Sequence, residues 1–475
     1  MKRLLPIQLL TAVVFIALII FNAGFTGCAN IVPPSGGPRD SIAPVLVNAS
    51  PQDSSTNFTN NRITFVFDEY VEVNNVMENL IVSPTPKILP EVQSRLRTVT
   101  VRLRDTLEPN TTYSLNFGNA IRDINEYNEV KDFTYIFATG PKFDTLQLAG
   151  KVILAETGGI DSTLIVMLHT SMDDSSVVKD VPRYYTRVDR NGNFVFRNLP
   201  SDTFAVYALK DEGGQKKYQS KTQVFAFADR PLRTTADSTP TVLLYAYREG
   251  TEDRKTTTTT APTRPVRTTT AADKILRVAT NIESEQLDLL SNLEVRFTTP
   301  LKSYDSTKVR FTDEQYNTIR GYPLVLDTSR RILTLKYPWQ SNTAYNLIVD
   351  KDFAEDTLGR KLLRGDTLAF RTRKESEYGG VKLRFLNLDM SKNPVLLFVQ
   401  NDQVKHTHVF TSRDVQIKLF VPGEYELRIL YDENRNGKWD PGSFFGTKKQ
   451  PEKILPISRR LNVRSNWDNE VDITL

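Results

Sequence analysis

Two stretches decide the fold: LEPNTTYSL at 107–115 and WQSNTAYNL at 339–347. Each runs from polar turn residues into a tyrosine, with a leucine two positions on. That is the period of a strand with one face buried. Outward from the first stretch lie Arg122-Asp123 and then Tyr135, Phe137 and Thr139. Outward from the second lie Glu355-Asp356 and then Leu368, Phe370 and Thr372. The segments upstream match as well: Ile63, Phe65 and Phe67 alternate with polar residues, as do Leu293, Val295 and Phe297. One unit is therefore written twice, and an internal repeat governs the reading of the whole chain.

A second unit follows each copy. DRNGNFVF at 189–196 leads through Leu199-Pro200 to a strand from Phe204 to Leu209; near the end, VPGEYELRILYD at 421–432 has the same shape. The pattern predicts an all-β, multidomain chain of four β-sandwiches in A-B-A-B order after an N-terminal signal helix. The expected boundaries are a signal peptide at 1–27, a flexible tether at 28–43, an A unit at 44–141 and a B unit at 142–247. A Thr/Pro-rich disordered linker at 248–273 follows, then A at 274–374 and B at 375–475. That linker, read alone, is a hinge that frees the distal A-B pair from the proximal one.

The N-terminus gives an address. Lys2 and Arg3 precede an apolar run densest from Leu9 to Phe21, and Phe25-Thr-Gly27 precede Cys28. Charge, apolar run and small residues at the junction are the layout of a secretory signal. The run is shorter than the ~20 residues that span a bilayer. Cys28 is the only cysteine of 475 residues, so no disulfide framework exists and its thiol is read as the lipidation site. Two or more acyl chains give stable anchoring. Removing 1–27 lowers the net charge from +5 to +3, too little for a nucleic-acid-binding face.

The A units resemble the bacterial Ig-like domain of S-layer and other envelope proteins, through Pro44-Val45, Ser50-Pro51, Phe65 to Phe67, the Y-x-L strand and Phe137 to Thr139. The B units resemble carboxypeptidase-regulatory or transthyretin-like domains. The whole chain resembles the Ig-like domain-containing lipoproteins of Bacteroidota. The points of match are Cys28-Ala29, Gly36 to Asp40, Asn436 to Gly442, Gln450-Pro-Glu452 and Asn466-Trp467. The resemblance implies a lipid-anchored outer-membrane protein with no catalysis. Residues after Cys28 lack an acidic cluster, which favours the periplasmic face over the cell surface. In that phylum, Asp followed by Ser or Thr and an aliphatic residue marks O-glycosylation, which here points to Ser41, Thr106, Thr145, Thr357 and Thr367. Asp-Ser and Asp-Thr are equally good turn pairs.

The sharpest chemical candidate is Asp432 to Asp440. Asp432, Asn434, Asn436 and Asp440, with the Lys438 carbonyl, present oxygens at calcium-loop spacing, and Gly437 permits the turn. Position twelve is Ser443 in place of a bidentate Glu, so an Asx-rich turn competes with Ca2+. No other cofactor is expected. His406-Thr-His408 places two imidazoles on one strand face, too few ligands for a closed zinc site.

G-x-S-x-G and H-E-x-x-H motifs are absent, and no catalytic residues are assigned. The leading expectation is a non-catalytic interaction or structural module at the outer membrane, accessory to an assembly or transport complex. It would bind the membrane through its lipid and a protein partner, and no nucleic acid; no small-molecule ligand is assigned. The alternative is a glycan-binding lipoprotein of a nutrient-uptake system that uses Trp439 or Trp467. A hydrolase is the third class, since carboxylate pairs come from distant strands.

Overall fold

The computed structural model describes residues 39–236, 239–250 and 275–475, together with Val14. The signal residues, Cys28, most of the tether and the linker from 251 to 273 lie outside the described residues. Among those described, no helix is long and apolar enough to cross a membrane. The fold is all-β. The chain divides into two compact units, Met1–Phe143 and Asp144–Leu475.

The first unit closes two sheets on one core. Strands Leu46–Ser50, Arg62–Phe67, Thr98–Arg102 and Glu91–Arg95 lie side by side in that order. Facing them are Ile81–Ser83, Thr112–Gly118 and Phe133–Ala138. The alternation in Arg62–Phe67 does what it predicts: Ile63, Phe65 and Phe67 are buried while the residues between them face outward. Phe65 meets Phe117 edge-on at 6.0 Å, and Tyr113 stacks on Phe137 at 5.2 Å. Such pairs add roughly 0.5–1.5 kcal/mol beyond area burial.

The second unit holds three further sandwiches. In the one at 144–250, Leu146–Leu154 is flanked by Asn193–Leu199 antiparallel and by Thr241–Ala246 parallel. Its second sheet orders Tyr184–Arg187, Leu164–His169, Thr203–Lys210 and Phe225–Phe227. The sandwich at 275–374 repeats the layout of the first: Val278–Thr280, Leu293–Phe297, Ile332–Leu335 and Leu324–Leu326 face a sheet centred on Ala344–Val349 and Asp366–Thr372. In the sandwich at 375–475, Gly379–Leu386 again has one antiparallel neighbour, Asp414–Phe420, and one parallel neighbour, Asp468–Thr474. Its second sheet orders Gln403–Val409, Pro394–Gln400, Gly423–Tyr431 and Lys453–Pro456.

Two strands break the half-buried pattern. Leu164–His169 is buried at all six positions, and Thr203–Lys210 at every position but its ends. A strand buried on both faces needs a second layer outside its own core. Here that layer combines Val177 and Tyr218 of the same sandwich with Phe444 and Trp439 of the sandwich at 375–475.

Candidate functional site

The outer sheet of the second sandwich carries a second apolar cluster on the face turned away from its own core. Val206 and Ala208 point inward, whereas Tyr207, Leu209, Phe225 and Phe227 point out. A loop from the fourth sandwich fills that outer face. Phe444 is 1% exposed, with ring centroids 5.6 Å from Tyr207, 5.0 Å from Phe225 and 5.2 Å from Phe227. Trp439 packs against this cluster and also against Val395, Leu397, Leu430 and Ile454 of its own sandwich, bridging the two. We call this contact the clasp.

Polar groups fix its register. The Phe444 N–H donates to Glu249 Oε1 at 2.9 Å, and the Tyr218 hydroxyl donates to the same oxygen at 3.2 Å. Burial, and then the Glu249 charge, push the Tyr218 hydroxyl far above its ordinary value. Gln450 Nε2 donates to Phe227 O at 3.0 Å and to Asp229 Oδ1 at 2.7 Å. Backbone joins backbone where Ile454 N–H donates to Ala155 O at 3.1 Å. Lys448 pairs with Asp174 at the rim. Gly442 is required by close approach, since a Cβ there would lie 2.7 Å from Tyr247 Cζ.

The clasp corrects the hinge reading of the linker. The two halves are not free arms, because the fourth sandwich is packed on the second. Composition shows that a Thr/Pro segment has no core of its own; it does not show that the domains on either side bind each other. Glu249, at the head of the expected linker, is itself part of the contact.

The Asp432–Asp440 loop forms the base of the clasp. Asp432 is buried and accepts N–H bonds from Arg435 at 2.7 Å, Asn436 at 3.2 Å and Gly437 at 2.6 Å. The side-chain amides of Asn434 and Asn436 both donate to Asp440. The Lys438 N–H donates to Asn436 Oδ1 at 2.7 Å. The residue missed by spacing is Glu452, 1% exposed, whose carboxylate accepts the Glu433 N–H at 2.9 Å and the Asp440 N–H at 3.0 Å. Burial raises its pKa. The Gln450-Pro-Glu452 motif was the available signal. Trp439 Nε1 donates to the Glu452 carbonyl at 2.8 Å. Among the described residues, no group of three or more His, Cys, Asp or Glu is placed to hold a metal. We expect the loop to act as a turn: adding calcium or EDTA leaves the melting temperature unchanged, and a calcium-dependent rise of several degrees would establish the ion reading instead.

The other predicted residues are dispersed. Ser41, Thr106, Thr145, Thr357 and Thr367 are all exposed. Trp467 is 65% exposed, far more than Trp439. His406 and His408 lie on the edge strand Gln403–Val409, their rings 5.6 Å from Phe398 and 6.1 Å from Phe410. Burial lowers both pKa values, and His406 is lowered further by His408. His169 is buried on the outer face of the second sandwich, its ring 5.6 Å from that of Tyr207, where burial lowers its pKa to about 4 against an upward pull from Asp180.

Two buried carboxylates anchor matching loops of the first and third sandwiches. Asp123 Oδ1 accepts N–H bonds from Asn125, Glu126 and Tyr127, and Oδ2 accepts from Asn128. Asp356 accepts the N–H groups of Leu358 and Arg360, the Thr299 hydroxyl at 2.6 Å and Arg360 Nε at 2.7 Å.

Residues 40–139 match the bacterial Ig-like domain family. This Ig-like domain is the first sandwich, with Asp123 in its loop. None of the curated proteins matches the chain. Among solved structures, the chain is similar to the Bacillus anthracis TIE protein at 10% identity and a TM-score of 0.17, covering 93% of this chain and 75% of that one. It is similar to BcpA, the major pilin subunit of Bacillus cereus, at 9% identity and a TM-score of 0.17, covering 69% and 98%. It is also similar to the S-layer protein rSbsC at 12% identity and a TM-score of 0.16, covering 90% and 54%. Scores this low place no constraint on function.

Proposed function

We propose that this chain is a non-catalytic protein of the bacterial outer membrane, tethered by lipid at Cys28 and facing the periplasm, that acts as a structural or docking module for an assembly or transport complex. The observation that supports this reading is the clasp. It uses an aromatic surface, with Tyr207, Phe225 and Phe227 around Phe444, to seal one β-sandwich on another, as a brace would. The Ig-like domain at 40–139 fits the same use. Of the two indoles that a sugar-stacking reading would use, Trp439 is a packing residue and Trp467 is 65% exposed.

The test is made on native membranes. The protein should partition with the outer membrane, and its intact mass should show lipid on the fragment beginning at Cys28. Any mass added at the five exposed Asp-Ser and Asp-Thr sites reads out glycosylation in the same spectrum. Cys28→Ser should release the protein to the soluble periplasmic fraction, and gentle solubilisation of the wild type should bring a stoichiometric envelope protein with it. Recovery of the wild type alone from native membranes removes the docking reading.

A further inference from the structure

Beside the clasp, the second and fourth sandwiches leave a groove of about 800 Å³ between them. That lies within the range of small-molecule sites, ~300–1,000 Å³. One wall presents Tyr245 and the other Tyr431, and neither ring is fully buried. A lysine rests on each: Lys453 Nζ is 4.5 Å from the Tyr245 ring centre, and Lys392 Nζ is 5.4 Å from that of Tyr431. Asn393 and Glu433 are also in the lining, with Ile153, Ile454, Leu455 and Pro456 as its aliphatic part.

We propose that this groove binds an acidic oligosaccharide. The chemistry matches part by part. A pyranose offers a C–H face that packs on apolar surface, which Ile153, Leu455 and Pro456 present in the lining. Its hydroxyls suit the amide of Asn393 and the carboxylate of Glu433. Its ring carboxylate suits an ammonium. Lys453 forms no ion pair among the described residues, and Lys392 has only the exposed Asp389 at 3.5 Å. Two ammonium groups against one carboxylate in the lining select an anion over a neutral sugar. An apolar ligand would leave the polar lining unpaired, which costs affinity. Gly158 lets the two walls meet at one end of the groove: its φ is +70°, and a Cβ there would lie 2.3 Å from Pro456 Cδ. The site uses neither Trp439 nor Trp467, and it holds whether or not Cys28 carries lipid.

The experiment is calorimetric titration of the full chain in detergent with a tetrasaccharide of galacturonic acid. A neutral galactose tetrasaccharide and a tetra-aspartate peptide serve as comparisons. Saturable binding of the acidic sugar is expected, weakened by salt as screening requires. Lys392→Ala and Lys453→Ala, each removing an exposed ammonium, should each weaken it by about tenfold or more, which corresponds to ~1.4 kcal/mol. Their melting temperatures should stay at the wild-type value, so that lost binding is not lost folding. The proposal is overturned by no saturable binding of the acidic sugar, by equal binding of the neutral one, by tighter binding of the peptide, or by variants that bind as the wild type does.

Discussion

Phe444→Ala separates the second and fourth sandwiches. The side chain is 1% exposed and is surrounded by rings from the other domain, so truncation leaves a cavity that rigid β-sheets cannot collapse to fill. Phe→Ala in such a site costs roughly 3–5 kcal/mol. The remaining polar contacts of the clasp are each worth about 1 kcal/mol and do not compensate. The clean measurement uses a protease site placed between Thr256 and Thr270. Cleaved wild-type chain should migrate as one species on a sizing column, because the clasp holds what the backbone no longer joins. Cleaved Phe444→Ala should run as two. Trp467→Ala, which removes an exposed ring, should behave as wild type. Co-migration of the cleaved Phe444→Ala fragments would falsify the clasp as the main contact.

Asp356→Ala unfolds the third sandwich more readily than any surface change. The carboxylate is fully buried and is shared by Thr299, two backbone N–H groups and the Arg360 guanidinium. Its loss strands a mostly buried cation and several donors, which costs about 3–5 kcal/mol. Acid should have a related effect on the wild type. Burial alone would raise the Asp356 pKa, but the hydrogen bonds from Thr299, Arg360 and Leu358 outweigh it and hold the group down to about 2. A depressed acid stabilises the fold above its unfolded pKa, 3.8, and that contribution drains away as pH falls from about 4 toward 2. The amount is about 2 kcal/mol. Hydrogen exchange in Ala344–Val349, the strand central to this core, should report both effects, and Asp356→Asn should flatten the acid limb. An acid limb that stays unchanged in Asp356→Asn assigns the loss of stability to another group.

The half-buried strands were legible residue by residue. Ile63, Phe65 and Phe67 face the core because alternation with period two admits one buried face and no other. The repeat was legible because Tyr113 and Tyr345 start equivalent strands with the same turn before them. The clasp was half legible. Unbroken apolar runs from Leu164 to Leu168 and from Phe204 to Leu209 say that both faces are covered. They do not say by what, because a hydrophobic face is non-directional and its cover lies far along the chain. Phe444 and Phe445, two rings in a Gly- and Lys-rich loop, were the other half of that signal. At the Asp432 loop, regular ligand spacing drew attention to Ser443 at position twelve. The carboxylate that closes the loop is Glu452, brought in by the antiparallel return of Lys453–Pro456, which no local spacing encodes.

The clasp also sets a timetable. Phe444 stands 195 residues after the Glu249 that receives its N–H. At the ~5–20 residues per second of translation, that interval is roughly 10–40 s. Throughout it, the outer sheet of a finished second sandwich shows Tyr207, Phe225 and Phe227 to whatever surrounds the emerging chain. The lid for that surface is itself late: the fourth sandwich completes its first sheet only when Asp468–Thr474 pairs in parallel with Gly379–Leu386. Vectorial delivery therefore leaves a nascent intermediate with an adhesive aromatic flank, and its yield should depend on a holding chaperone until the last strand arrives.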